Sequence, residues 1–200
     1  MDPEKRERIL NAAMKEFGQK GFKNASTDVI VKEAAISKGA LFHYFNNKKG
    51  LFLYLYDYCI DIFKNDMQMK FNVDERDIFT RRRQATLLKI EILKKHPEMY
   101  DFLATGYMDD SNEIKTDILS RNTELIAMSL VFLNEGIDTS KFKDGLDVKR
   151  AIDIITWTIE GFTNKEMHRV KNFSLYEQNF DEVLKELDIY LEMLKKSFYK

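Results

Sequence analysis

Apolar residues recur every three or four positions along most of the chain, and this spacing predicts helices. In the first predicted helix, Leu10, Ala13, Met14 and Phe17 form one apolar stripe. No segment alternates apolar and polar residues over the length of a strand. We therefore predict an all-α fold of about nine helices, in which a three-helix head is joined by a long fourth helix to a larger helical-bundle body.

Capping residues, glycines and prolines predict where these helices begin and end. Asp2-Pro3 is a typical helix start, and Gly18 and Gly21 are expected to end the first helix. Asp74 is expected to open a helix that closes before Pro97, and Gly136 to end a later one. The predicted helices cover 3–17, 28–34, 38–44, 47–71, 74–95, 97–107, 112–135, 148–170 and 175–198.

The last two predicted helices carry more apolar surface than one core uses. Within residues 151–162, apolar side chains lie on nearly all sides of the predicted helix, so we expect this helix to be buried on every side. In the final helix, Ile189 and Met193 lie off the main apolar stripe. A second copy of the chain would cover both helices in a homodimer, as a two-fold bundle of two helices from each subunit. A single monomeric core filled by the same residues is the alternative.

The composition is typical of a soluble globular protein, with 44% hydrophobic and 32% charged residues. The single cysteine excludes an internal disulfide framework and fits a reducing compartment. No apolar run approaches the roughly 18 residues of a membrane span, and no secretory segment is found at the N-terminus. We expect a cytoplasmic protein without a membrane partner.

The charges are unevenly distributed along the chain. Residues 1–50 contain ten Lys and Arg against six Asp and Glu, a balance of +4, whereas the remainder holds 22 against 27, a balance of −5. A basic head on an acidic body favours contact between the head and a polyanion. Charge alone also allows chance clustering on a solvated surface.

Residues 26–45 have the pattern of a helix-turn-helix, in which the second helix enters the major groove of DNA. Leu41 and Phe45, four residues apart, are expected to pack inward. Aromatic and basic side chains and a glycine on the opposite face fit contacts with phosphates and base edges better than a solvated surface. That outward set comprises Lys38, Gly39, Ala40, Phe42, His43 and Tyr44.

Lys48 and Lys49 fall in the first turn of the fourth helix, where the helix dipole disfavours cations. A DNA phosphate near this helix terminus would supply the missing negative charge.

The runs Phe22–Thr27 and Lys32–Phe45, followed by Lys48, resemble the DNA-binding head of the TetR family of bacterial transcriptional regulators. The resemblance covers residues 5–60. Two positions depart from the common pattern: Ala35 stands where glycine is usual, and Phe42 stands where tyrosine is common.

The resemblance implies two domains, a DNA-binding domain in residues 1–46 and an effector-binding and dimerisation domain in residues 47–200. It implies a non-enzymatic repressor that binds a palindromic operator in double-stranded DNA as a homodimer and is released by a small hydrophobic effector. A regulator controlled by a protein partner is the alternative. The implied roles are capping and phosphate contact for Thr27, Ser37 and Lys38, base contact for Gly39, Ala40 and His43, packing or a thymine methyl contact for Phe42, and phosphate contact for Tyr44 and Lys48.

A fourth helix of about 24 residues would act as a lever roughly 35 Å long between head and body. Candidate effector contacts are bulky, adaptable side chains that suit an apolar cavity, together with one acid; plain core packing is the alternative for each. They are Phe63, Met67, Met99, Phe102, Tyr107, Met128, Phe132, Trp157, Glu160 and Phe162.

Metal or cofactor chemistry is not expected, because His43, His96 and His168 fall in separate helical regions and no metal-binding spacing occurs. A helical-bundle enzyme is accordingly the least favoured class.

Overall fold

All regular secondary structure among the described residues is helical, apart from one isolated bridge between Phe142 and Tyr199. A computed structural model describes residues 1–170 and 179–200, with backbone alone for 167–170. The all-α prediction is confirmed. The helices are α1 (Pro3–Asn24), α2 (Thr27–Glu33), α3 (Lys38–Phe45), α4 (Lys48–Lys70), α5 (Ile78–Lys95), α6 (Pro97–Met108), α7 (Lys115–Asn134), α8 (Val148–Val170) and α9 (Phe180–Phe198), with a short 3-10 helix (Thr139–Lys141) before α8.

Several helix starts follow from the capping residues in the sequence. The Asp2 carboxylate accepts a hydrogen bond from the Lys5 N–H at 2.9 Å, and the Asn47 side chain accepts one from the Gly50 N–H at 2.8 Å. Asp147 caps α8 in the same way. These bonds satisfy amide groups that have no partner within the helix.

Two predicted boundaries differ from the structure in ways that local contacts explain, and one cannot be compared with it. The first helix continues through Gly18 and is interrupted at Gly21, whose φ of 70° is left-handed. α5 begins at Ile78 instead of residue 74, because Asp77 accepts the Thr80 N–H at 3.0 Å and is the residue that caps the helix. The predicted start of the last helix at Leu175 lies outside the described residues.

The chain divides into two compact units, and the first comprises Met1–Asp66 and Leu93–Ala127. Its core is a cluster of aromatic rings from α1, α4 and α6, with Phe52 in edge-on contact with Phe17 and Phe22 at centroid distances of 5.0 and 5.3 Å. Phe102 lies 5.0 Å from Phe52. Gly106 allows this approach, since a Cβ there would lie 3.2 Å from the Phe52 ring. The cluster holds α1, α4 and α6 together.

The second unit comprises Met67–Ile92 and Met128–Lys200. Residues of α5, α8 and α9 share its apolar core, including Ile78, Ile155 and Leu187. Arg81 is also buried, and its guanidinium donates to the carbonyl oxygens of Phe132 and Glu135 at the end of α7. The boundary between the units falls within α4, α5 and α7, while the division after residue 46 stays a prediction.

The single chain leaves part of the apolar surface of α8 uncovered. Ala151, Ile155 and Phe162 are buried, whereas Ile154 is 41% and Trp157 is 65% exposed. In α9, the residues off the main stripe, Ile189 and Met193, are likewise 55% and 61% exposed. The apolar surface of these two helices therefore exceeds what one chain covers.

Candidate DNA-binding surface

α2 and α3 form a helix-turn-helix whose inner side is apolar. Ile30 and Ala34 of α2 and Leu41 of α3 are fully buried, and Phe45 is 5% exposed. The Ser37 hydroxyl accepts the Ala40 N–H at 3.1 Å and caps α3, as the sequence predicts. The orientation of α3 is therefore fixed by packing on one side and by a cap at its start.

The outer side of α3 carries the predicted contact residues. Lys38, Gly39, His43 and Tyr44 are exposed, and Ala40 and Phe42 are half-buried. The His43 and Tyr44 rings meet edge-on with centroids 5.3 Å apart. The structure thus brings the outward set together on one face of one short helix.

Gly39 has no packing role inside the described chain. A Cβ built at this position would meet no atom within 4 Å, and its backbone is helical. Glycine in a helix costs roughly 0.5–1 kcal/mol relative to alanine. Nothing within the described chain explains why glycine stands at this position.

Ala35 adopts a left-handed backbone conformation, with φ of 53°, in the turn between α2 and α3. This is the position where the sequence departs from the usual glycine. The turn is kept in spite of the Cβ, with the Ile36 N–H donating to the Val31 carbonyl at 3.0 Å.

Thr27 does not cap α2, which corrects the role expected for it. The helix begins at Thr27 itself, and the preceding residue, Ser26, occupies the cap position without a side-chain hydrogen bond. The Ser26 N–H donates instead to the Glu16 carboxylate of α1 at 2.9 Å. The half-buried Thr27 hydroxyl has no hydrogen bond within the described residues and is left for an external partner.

Three lysines of the head have partners within the chain that the sequence did not reveal. Lys38 pairs with Asp28 at 2.7 Å, and Lys49 pairs with Asp117 of α7 at 2.8 Å. Lys48 donates to the carbonyl oxygen of Lys23 at 3.1 Å. No local spacing connects these residues, since the contacts are made by packing between helices.

The electrostatic surroundings of Lys48 are mixed. Its ammonium lies 5.0 Å from the centre of the Phe22 ring, and desolvation by burial lowers its pKa. The carboxylates of Glu113, Asp109 and Glu16 act in the opposite direction and favour the charged form. Lys48 is thus a charged group that the chain itself partly neutralises.

The candidate effector residues are distributed over both units. Met99 and Phe102 are buried, and Phe102 is part of the aromatic core described above. Tyr107, Met128 and Trp157 are exposed. Phe63, Met99, Phe102 and Tyr107 belong to the first unit, and Met67, Met128, Phe132, Trp157, Glu160 and Phe162 to the second.

Phe132 is the one effector candidate that lines an open cleft of about 310 Å³ in the second unit. Its other lining residues are mostly polar: Val73, Asp74, Arg76, Arg81, Glu135 and Gly136. Phe162 packs elsewhere in that unit, against Tyr190 at a centroid distance of 5.7 Å.

Among the described side chains, no three His, Cys, Asp or Glu residues are grouped to hold a metal ion. His43 is exposed on α3, His96 precedes α6, and the side chain of His168 lies outside the described residues. Within residues 1–170 and 179–200, no helix has the length and apolar character that crossing a membrane requires.

Comparison with known proteins places the helix-turn-helix in a family. Residues 9–55 match the family described as bacterial regulatory proteins, tetR family. The chain belongs to the TetR family. Its head is therefore the helix-turn-helix domain of the DNA-binding transcriptional regulators of this family.

Two curated regulators are similar to this chain over a longer stretch that extends beyond the head. The HTH-type transcriptional regulator YuxN of Bacillus subtilis is 30% identical over 154 residues, which cover 67% of this chain and 52% of that protein. The fatty acid metabolism regulator protein of the same species is 26% identical over 76% of this chain and 78% of its own length. The chain spans about half the length of the first of these relatives.

The fold is also found in solved structures. The crystal structure of the transcriptional regulator FadR from Bacillus subtilis in complex with stearoyl-CoA superposes with a TM-score of 0.65 at 17% identity, covering 94% of this chain and 97% of that one. At this identity the likeness concerns the fold.

Proposed function

We propose that this protein is a transcriptional repressor that binds a palindromic operator as a homodimer and is released from DNA by a hydrophobic small molecule. The observation that carries the DNA-binding part is the outer face of α3. There, His43 and Tyr44 are exposed beside a glycine that no internal contact requires.

In this proposal α3 lies in the major groove. The hydroxyl groups of Thr27 and Tyr44 and the ammonium group of Lys38 bind phosphates, which position the helix without reading sequence. Ser37 and Lys48 contact the DNA backbone and also form the hydrogen bonds within the chain that are described above. Gly39, Ala40 and His43 face base edges, and half-buried Phe42 packs against a thymine methyl group.

The proposed dimer is formed through α8 and α9. Ile154, Trp157 and Gly161 lie at helical spacing on α8, and a Cβ at Gly161 would meet open space. Together with Ile189 and Met193 of α9, they offer an apolar face that a second copy can cover. A two-fold dimer matches a palindromic operator, whose half-sites lie about 34–36 Å apart.

The proposed effector carries a long apolar chain, of which a fatty acyl thioester is one example. The names of similar proteins support this class, since the similar Bacillus subtilis sequence is a fatty acid metabolism regulator and the similar Bacillus subtilis structure is FadR in complex with stearoyl-CoA. Such a ligand must prefer the conformation that does not fit the operator by several kcal/mol to release DNA. Control by a protein partner is the alternative, and mass spectrometry of co-purifying small molecules would distinguish the two.

His43→Ala tests the placement of α3. We expect the variant to change the preference among operator sequences, with a loss of about tenfold in discrimination at the base pair read by His43. The measurement is fluorescence anisotropy with promoter fragments from the source genome and with single-base variants of the bound fragment.

Lys149→Ala is the matched control, because Lys149 is exposed on α8 and lies outside the head. It should leave both affinity and sequence preference unchanged. A wild-type protein that binds no promoter fragment at low salt would contradict the proposal, and an unchanged preference in His43→Ala would remove His43 from the bases.

A further inference from the structure

One carboxylate at the start of α7 is paired with a lysine at the start of α4, and two carboxylates before α7 act electrostatically on the neighbouring lysine. The Lys49 ammonium is 2.8 Å from the Asp117 carboxylate, and Lys48 is under the electrostatic influence of Glu113 and Asp109. These acids belong to residues 109–117, far from the helix-turn-helix in sequence. Asp117 thus supplies Lys49 with the negative charge that the sequence analysis assigned to a DNA phosphate.

The three acids differ in the other contacts that their carboxylates make within the chain. Asp109 is part of the fold, because its carboxylate accepts the N–H groups of Phe22 and Ser111, both at 2.8 Å. Glu113 is exposed, and no hydrogen bond fixes it within the described chain. The Asp117 side chain is 34% exposed and has Lys49 as its ion-pair partner.

The pair between Lys49 and Asp117 is not needed to hold α4 against α7. Arg121 of α7 binds both carboxylate oxygens of Asp57 at 2.6 and 3.0 Å. The Tyr56 hydroxyl also donates to the Asn122 side chain at 2.8 Å. These contacts brace the two helices about two turns further along α4.

A carboxylate and a phosphate are competitors for the same ammonium group. Ion pairs at exposed sites are weak, so a phosphate can displace the carboxylate, but its gain is reduced by the attraction that is lost. Unpaired carboxylates close to the DNA also repel it over a distance of about 8–10 Å at ordinary ionic strength. Both effects lower the affinity for every duplex without favouring any sequence.

We propose that Glu113 and Asp117 set the DNA affinity of the head by competing with backbone phosphates for Lys48 and Lys49. The inference rests on the proposed DNA-binding function and adds two residues outside the helix-turn-helix that determine its strength. Through these two residues, α7 and the segment before it limit non-specific binding to DNA. The recognition helix α3 still determines which DNA sequence is preferred.

The test compares the wild-type protein with Glu113→Gln/Asp117→Asn. Binding to an operator fragment and to a random duplex of equal length is measured by anisotropy between 50 and 300 mM KCl. We expect the double variant to bind both duplexes about three- to tenfold more tightly. The dependence of log K on log salt should steepen by about one, since each freed lysine adds up to one phosphate contact.

The matched control is Asp57→Asn/Glu124→Gln, which removes the same number of negative charges, one from α4 and one from α7, around Arg121. It should leave the affinity within about twofold and the salt slope unchanged. Asp117→Glu, which keeps the charge, should behave as wild type. Thermal unfolding of each variant verifies that the fold is kept.

Equal affinity and slope in the double variant and the wild type would overturn the inference and leave the proposed function standing. An equal gain in the control would also overturn it, because net charge would then be the cause. A wild-type protein that binds no duplex would overturn the proposed function and this inference together.

Discussion

Two residues of the helix-turn-helix are each of a type that their backbone conformation disfavours. Gly39 lies in a helix where alanine would be preferred, and Ala35 lies in a left-handed turn where glycine would be preferred. The first departure serves a contact outside the chain in our proposal. The second has no contact in the structure that explains it, and it is therefore a position where stability can be gained.

We predict that Ala35→Gly raises the free energy of unfolding by about 0.5–1 kcal/mol. Relief of the left-handed strain is worth about 1–2 kcal/mol, and part of it is offset by the greater freedom of glycine in the unfolded chain. Urea unfolding followed by circular dichroism measures the change. Ala34→Gly, at a buried position with φ of −75°, is the control and should destabilise; a loss of similar size in both variants would contradict the prediction.

At the scale of elements, the start of α5 depends on a contact made far along the chain. Asp77 caps the helix and also binds the Lys141 ammonium at 3.1 Å. Burial of the Asp77 carboxyl disfavours its ionised form, but the hydrogen bonds from Thr80 and Lys141 outweigh this, so its pKa is lowered. Asp74, four positions from α5, lacks such a partner and starts no helix.

A lowered pKa in the folded state stabilises the protein above the unfolded-state pKa of about 3.9, and this stability is lost as the pH falls through the folded-state pKa. We therefore expect Asp77→Asn to cost about 1–2 kcal/mol of unfolding free energy at pH 7. Asparagine still caps α5 but carries no charge for Lys141, so the difference from wild type should shrink as the pH approaches 2.

Urea unfolding at pH 7, 4 and 2.5 measures this difference, with Asp74→Asn as the control that should show no comparable pH dependence. A cost of Asp77→Asn that stayed constant over this range would show that the charge of Asp77 does not contribute to stability.

At the scale of the whole molecule, the exposed apolar residues of α8 and α9 support self-association in our proposal. Four large side chains, Ile154, Trp157, Ile189 and Met193, are each at least 41% exposed on two neighbouring helices. Single exposed apolar residues are common on protein surfaces, but a cluster of this kind marks an interaction site.

We predict that the wild-type protein sediments as a dimer at micromolar concentration and that Trp157→Glu is a monomer. The indole is exposed in the single chain, so the change costs the folded subunit little, whereas burial of an unpaired carboxylate at an interface costs several kcal/mol. Met69→Glu, at an equally exposed residue of α4, should remain dimeric. A monomeric wild-type protein would exclude the proposed interface.

The helix-turn-helix shows how much of the site could be predicted from the sequence. The cap at Ser37 and the inward positions Leu41 and Phe45 follow from spacing within eight residues, and the structure shows both. The partners of Lys38 and Lys49, at Asp28 and Asp117, could not be predicted, because each contact depends on the packing of one helix against another.

The effector candidates show the same limit for the body. Residue type marks Met99 and Phe102 as bulky and apolar, but type does not distinguish the core of a unit from the wall of a cavity. The structure assigns Phe102 to the aromatic core and leaves Trp157 exposed. The periodicity of apolar residues predicts that one face of a helix is buried. It does not predict which part of the protein, or which partner, buries that face.

The sequence by itself determined the all-α fold, most helix starts and the family of the head, because caps, periodicity and the recognition motif are interactions between residues close along the chain. Only the tertiary structure decided which lysines are already paired, which acid starts α5 and which apolar residues stay uncovered. These features depend on contacts between residues that lie in different helices or loops, such as Lys38 with Asp28 and Lys49 with Asp117. Such contacts are set by the packing of whole helices, and no local sequence pattern specifies them.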